Sequence, residues 1–364
     1  AEEALPAGEK AGTPESEAAV WPTRRGRLRH LSEEQYAFWE ENGYLVVPGA
    51  VSPAVACNAA AAIREFVGAD ASQPETWYAN TADIYSDVLP DGKRPLHGPC
   101  GMVQMYHHSS LWAIRQEPAL HAIFADLYGT HELYVTTDRA HFKPPESQRH
   151  PAWSDPGKVH DGLHWDIETS EVSWPVPFAV QGVLYLEDTA ADQGALRVVP
   201  GFHRRLAEWS KSQPSDRSGR ECPQSLQAGA VPVPGPAGSL VLWHSLLPHG
   251  PTRNVSRAPR VSAYVSMLPA DAAPYLGPGR PSDTPLSMSD AGTVDYDDLE
   301  KASKLKRLSR ESRTERWRKR LPLLREDPPE HELPRRPPGE EDGQPCLLSA
   351  LGQRLVGLVD WEKD

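Results

Sequence analysis

The sequence predicts a mainly β fold with flanking helices, and three observations carry that reading. Short β-prone runs recur at 178–186, 195–199, 239–244 and 260–268, each bounded by Gly or Pro turns. The run at 178–186 is apolar on both sides, as a strand covered on both faces must be. Helical periodicity is confined to segments beside these runs, so the expected architecture is a sandwich or jelly roll with helices packed outside.

A chain of 364 residues can hold one large or two ordinary domains, and 39% hydrophobic composition with 11 Trp and 11 Tyr suffices for a sizeable core. The 37 Pro residues and a mean hydropathy of −0.55 predict long polar connections. A formal charge of −12 argues against a general nucleic-acid binder, which must neutralise phosphates. Cys57, Cys100, Cys222 and Cys346 form no C-x-x-C pair, so neither a disulfide framework nor a zinc knuckle is expected. Reduced thiols fit a cytoplasmic protein. No apolar run approaches the about 20 residues of a membrane span, and the charged start lacks a signal-peptide core, so no membrane partner is expected.

Residues 1–30 lack periodicity and are expected to form a flexible leader. Ser32 with Gln35 forms a capping box that opens a helix, and Gly43 closes it. A short strand at 44–48 and a helix over 52–67 follow, with Ile63, Phe66 and Val67 inward. The polar stretch 68–100 is expected to be a lid or pocket wall. A strand is expected at 102–105, helical pattern from Leu111 to Leu127, and a single strand over 133–143 that stops at Pro144-Pro145. A long loop carrying Trp209 and Cys222 runs from Gly201 to Ser239. Beyond Pro269 the composition changes. Residues 301–320 carry ten Lys or Arg in a helical pattern with Leu305, Leu308 and Trp317, expected as a solvated helix with one apolar edge on the core. The end of the chain, 347–361, is amphipathic enough to dock back. The predicted organisation is therefore a leader at 1–30, a core domain at 31–270 and a Pro-rich, helical extension at 271–364 that packs on it.

The chemistry begins at His164-Trp165-Asp166. Residues two apart in extended chain point to one side, so an imidazole and a carboxylate can converge on one cation. Such triplets also occur by chance. His249, in Leu246-Leu247-Pro248-His249-Gly250, supplies the third candidate ligand, and two His with one carboxylate form the facial set that leaves open positions on ferrous iron. His244 is a rival ligand five residues earlier, whereas the adjacent His160 and Asp161 cannot converge on one metal. In the strand after His249, Arg260, Ser262, Tyr264 and Ser266 alternate with Val261, Ala263, Val265 and Met267. If the apolar face packs on helices, Arg260 points into the barrel and requires an anion, best a planar carboxylate gripped by two N–H groups, with the Ser262 hydroxyl beside it. The alternative is that the polar face meets solvent.

Several segments together carry a resemblance: Glu41 to Gly49, Phe142-Lys143-Pro144-Pro145, His164-Trp165-Asp166, Asp192 to Leu196, Val199 to His203, and Gly238 through Arg260. Over 31–268 the chain resembles the phytanoyl-CoA dioxygenase family of Fe(II)/2-oxoglutarate-dependent oxygenases. The resemblance implies a double-stranded β-helix core of the cupin-like kind. It implies catalysis at Fe(II) held by His164, Asp166 and His249, with Arg260 on the distal carboxylate of 2-oxoglutarate. Dioxygen would be the co-substrate, succinate and carbon dioxide the by-products, and a small organic molecule the substrate for hydroxylation. Gln104 lies in a family-like segment and is expected to line the cofactor pocket. Three positions depart from the family pattern: Met102 stands where a basic residue is frequent, Ser239 where Asp is common, and Pro251 where a small hydroxyl residue is frequent. Related halogenases lack the ligand carboxylate; Asp166 is present, so hydroxylation or another oxidation is expected.

Candidate substrate contacts are Gln181, the one strongly polar residue of a buried strand, together with Trp165, His141 and Thr137. For the aromatic residues Trp165, Trp174 and Tyr185, core packing competes with that role. Two other functions compete: a zinc hydrolase with an activated water on the same ligands, which leaves Arg260 idle, and a jelly-roll binding protein without turnover.

Overall fold

A six-stranded antiparallel sheet with one oily and one polar face organises the chain. The computed structural model describes residues 27–79, 81, 95–159, 161–166, 169, 179–214, 216–270, 308–321, 323 and 347–361. The amides of Arg29, His30 and Leu31 all donate to the Asp126 carboxylate, at 2.7, 2.8 and 2.9 Å, which anchors the chain before the first helix. α1 (Glu33–Asn42) opens with the predicted box: Ser32 Oγ accepts from the Gln35 amide at 3.1 Å and Gln35 Oε1 from the Ser32 amide at 2.9 Å. β1 (Tyr44–Val47) leads to α2 (Pro53–Val67), which buries Ile63, Phe66 and Val67 as predicted. After β2 (Met102–Val103), the helical pattern resolves into α3 (Ser109–Arg115) and α4 (Pro118–Tyr128), because Pro118 has no amide to continue the first helix.

The stretch expected as one strand over 133–143 is two, β3 (Leu133–Val135) and β4 (Ala140–Lys143), which lie in different sheets. α5 (Pro156–Val159) precedes the segment with His164 and Asp166, and β5 (Val180–Tyr185) and β6 (Leu196–Val198) follow it. The long connection after Gly201 holds α6 (Leu206–Lys211), α7 (Gln224–Gln227) and β7 (Val231–Val233). β8 (Leu240–His244), β9 (His249–Pro251), β10 (Arg260–Tyr264) and β11 (Met267–Pro269) complete the strands. The run at 260–268 breaks where the Val265 amide turns to Gly182 O and Ser266 O accepts from the Thr136 amide.

The large sheet runs β1-β8-β5-β10-β4-β2, a smaller sheet runs β7-β6-β9, and β11 pairs with β3. Together they form a double-stranded β-helix. The register puts Val103, Phe142, Val261, Leu184, Leu242 and Leu45 on one face, where they join Trp39, Ile63 and Phe124 of the helices in one core cluster. The opposite face carries Met102, His141, Lys143, Arg260, Ser262, Tyr264, Gln181 and Trp243. It looks toward the smaller sheet, and Leu196, Val198 and Val233 of that sheet pack with Val183, Tyr185 and Val241 in a second cluster.

α8 (Arg310–Lys319) and α9 (Ala350–Leu355) close the described chain. Leu308, Trp317, Leu355 and Val356 belong to the main core cluster, and Trp317 meets Trp112 edge-on with centroids 4.5 Å apart. The edge of α8 against the core is not purely apolar, since Arg313 and Arg316 are buried beside Trp317; Leu305 lies outside the described residues. Truncating Trp317 to Ala is expected to destabilise the whole protein by about 3–5 kcal/mol, read as a shift of the urea midpoint. A shift equivalent to less than about 1 kcal/mol would show that the extension is only loosely held. Among the described residues no helix is long and apolar enough to cross a membrane, and Cys57, Cys100 and Cys222 are free thiols. Cys346 lies outside the described residues.

Candidate metal centre

His164 forms isolated β-bridges with His249 on one side and with Glu221 on the other, so residues 163–165 run between β9 and the 219–222 segment. His164 and His249 exchange both backbone bonds, at 2.9 and 3.0 Å, so they stand directly opposite each other, with ring centroids 4.8 Å apart. On the other side the Trp165 amide donates to Arg220 O at 2.9 Å and the Cys222 amide to Leu163 O at 3.3 Å. Gly250 permits the close approach, because a Cβ there would lie 2.5 Å from Gly162 O. Alternation then brings Asp166 to the side of His164 and sends Trp165 the other way.

Ligand atoms of His164, Asp166 and His249 all lie within 4.8 Å of one another. His249 Nε2 is 2.9 Å from Asp166 Oδ2 and His164 Nε2 is 3.5 Å from Oδ1. Each imidazole has its Nδ1 against a backbone carbonyl, Gly162 O at 3.1 Å for His164 and Leu247 O at 3.0 Å for His249. A carbonyl only accepts, so Nδ1 keeps its proton, and Nε2 faces the carboxylate, donating to it when protonated and offering a lone pair to a metal when not. Two such lone pairs and a buried carboxylate are a donor set that fits a divalent iron ion. Burial alone would lower the His164 imidazole and raise the Asp166 carboxyl. Their mutual hydrogen bond and charge, with His249 added for Asp166, prevail, so His164 titrates above its ordinary value and Asp166 well below.

Gln181 projects from β5 and its Nε2 donates to Asp166 Oδ2 at 2.7 Å. Replacing it with Leu removes the group that orients the carboxylate, and a loss of about 10–100-fold in metal affinity or turnover is expected. An unchanged Fe(II) titration together with unchanged succinate formation would contradict it.

A cavity of about 530 Å³ joins this centre to Arg260, and His141, Gln181, Trp243 and Tyr264 contribute to its lining. Arg260 is 2% exposed. Its Nη1 donates to Gly194 O at 2.6 Å and its Nε to Ser262 Oγ at 3.2 Å, while its Nη2 makes no hydrogen bond among the described residues. Ser262 is not part of the cavity lining; its hydroxyl orients the guanidinium. Lys143 stands opposite Arg260 in register and is buried with one long contact, 3.5 Å to Val159 O. Burial first and then the Arg260 charge bring its ammonium down to about 8.

His141 lines the cavity, and its Nδ1 is buried with no hydrogen-bond partner. The bond to the Cys100 backbone therefore uses Nε2, and Nδ1 is a lone-pair acceptor. Burial, then the Arg260 and Lys143 charges, hold this imidazole well below its ordinary value, hence neutral. The ring lies over Gly101, which at φ 87 has no side chain to obstruct it.

Other expected site residues lie elsewhere. Gln104 is fully buried but away from the cavity, its Oε1 accepting from Tyr106 Oη at 2.9 Å, because the chain leaves strand geometry after Val103. Trp165 is core: its Nε1 donates to Leu246 O at 3.0 Å and its ring packs on Phe202 and Trp209. Thr137 accepts from the Leu323 amide and faces the C-terminal segment. His244 is turned to the outer side of β8, between Trp39 and His203, and is not near the ligand set. His160 and Trp174 lie outside the described residues. Sequence reading did not find Arg220 and Glu221, which line the cavity from the 219–222 segment. No local pattern announces them, since their position depends on the pairing of that loop with 163–166.

A facial pair of His with one carboxylate, inside a double-stranded β-helix whose polar face carries a buried arginine, defines a non-haem Fe(II) oxygenase. A family model described as phytanoyl-CoA dioxygenase matches residues 39–262, and the chain belongs to that family. It is an Fe(II)/2-oxoglutarate-dependent dioxygenase. A putative phytanoyl-CoA dioxygenase of Dictyostelium discoideum is 24% identical over 271 residues, which cover 64% of this chain and 74% of the relative. The ectoine dioxygenase of Bordetella bronchiseptica is 29% identical over 150 residues, covering 37% of this chain and 46% of that protein. Among solved structures, EctD from S. alaskensis with 2-oxoglutarate and 5-hydroxyectoine superposes with a TM-score of 0.45 at 18% identity, covering 70% of this chain and 82% of that one. The epimerase SnoN with Fe3+ and alpha-ketoglutarate gives 0.43 at 16% identity, covering 66% and 84%.

Proposed function

We propose that His164, Asp166 and His249 hold the iron, that Arg260 holds the distal carboxylate of 2-oxoglutarate, and that the enzyme hydroxylates a small organic molecule in the rest of the cavity. The observation that carries this is the commitment of both Nδ1 atoms to backbone carbonyls, which leaves both Nε2 atoms beside one carboxylate as the nitrogens that can ligate. Bound Fe(II) with 2-oxoglutarate supplies dioxygen activation, the 2-oxoglutarate leaving as succinate and carbon dioxide. Gln181 keeps the Asp166 carboxylate in its ligating orientation, and Ser262 does the same for Arg260. The free Nη2 of Arg260 is the donor that meets the distal carboxylate. His141 Nδ1 accepts a hydrogen bond from the molecule bound next to it. The apolar walls, Val183, Leu196 and Trp243 among them, exclude water from the reacting centre.

Residues 31–270 are read as the oxygenase domain and 271–364 as an extension, supported by the packing of Trp317 and Leu355 on the main core. A cytoplasmic setting is supported by the free thiols. The test is anaerobic addition of Fe(II) and 2-oxoglutarate, with a visible charge-transfer band expected, followed by a screen of small metabolites for dioxygen-dependent succinate release. A protein that binds Zn(II) and hydrolyses esters but develops no band would overturn the reading.

A further inference from the structure

The 219–222 segment brings into the cavity a second cation that the metal and the cosubstrate leave unused. Its backbone is paired to the 163–165 segment through Trp165 N to Arg220 O and Cys222 N to Leu163 O, so Arg220 has a fixed place beside the centre. Its Nε donates to Trp165 O at 3.3 Å, which sets the plane of the guanidinium. Its Nη2 reaches 3.9 Å from Asp166 Oδ1, and neither Nη atom makes a hydrogen bond among the described residues. The side chain is 32% exposed and lines the cavity, so a ligand entering from solvent can reach it.

Asp166 does not account for this group. Its Oδ2 already receives Gln181 and faces His249 Nε2, and its Oδ1 faces His164 Nε2. Both Nη atoms of Arg220 remain as donors at the cavity wall, the fork that a planar carboxylate matches. Ser218 lines the same wall and offers a hydroxyl. Glu221 lines it as well, paired across from His164, and its negative charge disfavours a multiply charged ligand such as a diphosphate.

We propose that Arg220 anchors the carboxylate of the substrate, and that the substrates of this enzyme are small organic acids oxidised at a carbon close to the acid group. The closeness follows from the short span between the guanidinium and the ligand oxygen of Asp166. The proposal rests on the iron centre described above, and the two fail differently: a wild-type enzyme with no Fe(II)/2-oxoglutarate absorption band removes the centre, whatever Arg220 does.

The experiment uses the full chain loaded with Fe(II) and 2-oxoglutarate. A panel of small monocarboxylic acids and their primary amides is added, first without oxygen to record perturbation of the absorption band, then with oxygen to record succinate. Acids are expected to perturb the band and stimulate succinate release, and amides to do neither. For the responding acids, Arg220→Gln is expected to raise KM by about 10–100-fold, the loss of a charge-assisted pair, with the KM for 2-oxoglutarate and the unperturbed band unchanged. Arg220→Lys should recover part of the loss. Equal responses to acids and amides, no response to any acid, or an unchanged KM in Arg220→Gln would each overturn the proposal. A changed band or a raised KM for 2-oxoglutarate in Arg220→Gln would overturn it too, by placing Arg220 in support of the centre itself.

Discussion

Asp166→Ala is expected to end succinate formation and to weaken Fe(II) binding by more than the about 10–100-fold typical of losing an outer-sphere partner. Two imidazoles remain, but the charge that neutralises the metal is gone. Asp166 is also the group toward which Gln181, His249 and His164 all point. Removing it strands a buried amide and removes the attraction that holds His164 above its ordinary value. The measurement is Fe(II) titration under anaerobic conditions beside a succinate assay. A variant with full turnover would move the carboxylate ligand to another residue. Asp166→Glu is the useful control, since it keeps the charge while shifting its position by one methylene.

Arg260→Ala is expected to raise the KM for 2-oxoglutarate by about 100-fold, equivalent to about 3 kcal/mol for a charge-assisted contact in a buried site, while Fe(II) affinity stays near that of the wild type. Loss of both together would argue that the arginine supports the fold rather than the cosubstrate. Lys143 sharpens the test. Its ammonium is lowered to about 8, so it is charged below that pH and loses its charge as pH rises through it. A second positive charge opposite Arg260 favours a dianion, hence the KM for 2-oxoglutarate is expected to rise as pH climbs past about 8. Lys143→Met should flatten that rise and start from a weaker affinity. Asp161 and Glu146 face the same ammonium and act in the opposite direction, holding it charged longer.

The convergence of His164 and Asp166 was legible because their spacing is a property of extended chain: the single residue between them fixes a common side whatever the surrounding fold. The same rule already states that Trp165 must point away, and the structure puts it in the core. Arg260 was legible from the strict alternation of its strand, which the register of β10 reproduces. Thr137 misled because parity was carried past the end of a strand, whereas Gln104 was expected in the pocket only from its family-like segment. β2 stops at Val103, and the chain between β3 and β4 breaks the alternation that would have put Thr137 beside His141. Arg220 was not legible at all, since a loop residue acquires its neighbours only through pairing with a segment far away in the chain. The split of 260–268 into β10 and β11 has the same origin: Gly182 and Thr136, not any local signal, capture the backbone at 265–266.

The two-layered character of the large sheet also governs how the protein can assemble. Neighbouring positions on β10 serve opposite layers, so sliding that strand by a single residue would drive the Arg260 guanidinium among Phe142 and Leu184 and turn Val261 toward the cavity. Such a mispaired chain carries an unsolvated charge in its oily layer and is rejected on that account. The ionic side chains thus act as proofreaders of strand alignment, and a chain that has found its correct pairing has by the same event built a competent reaction chamber.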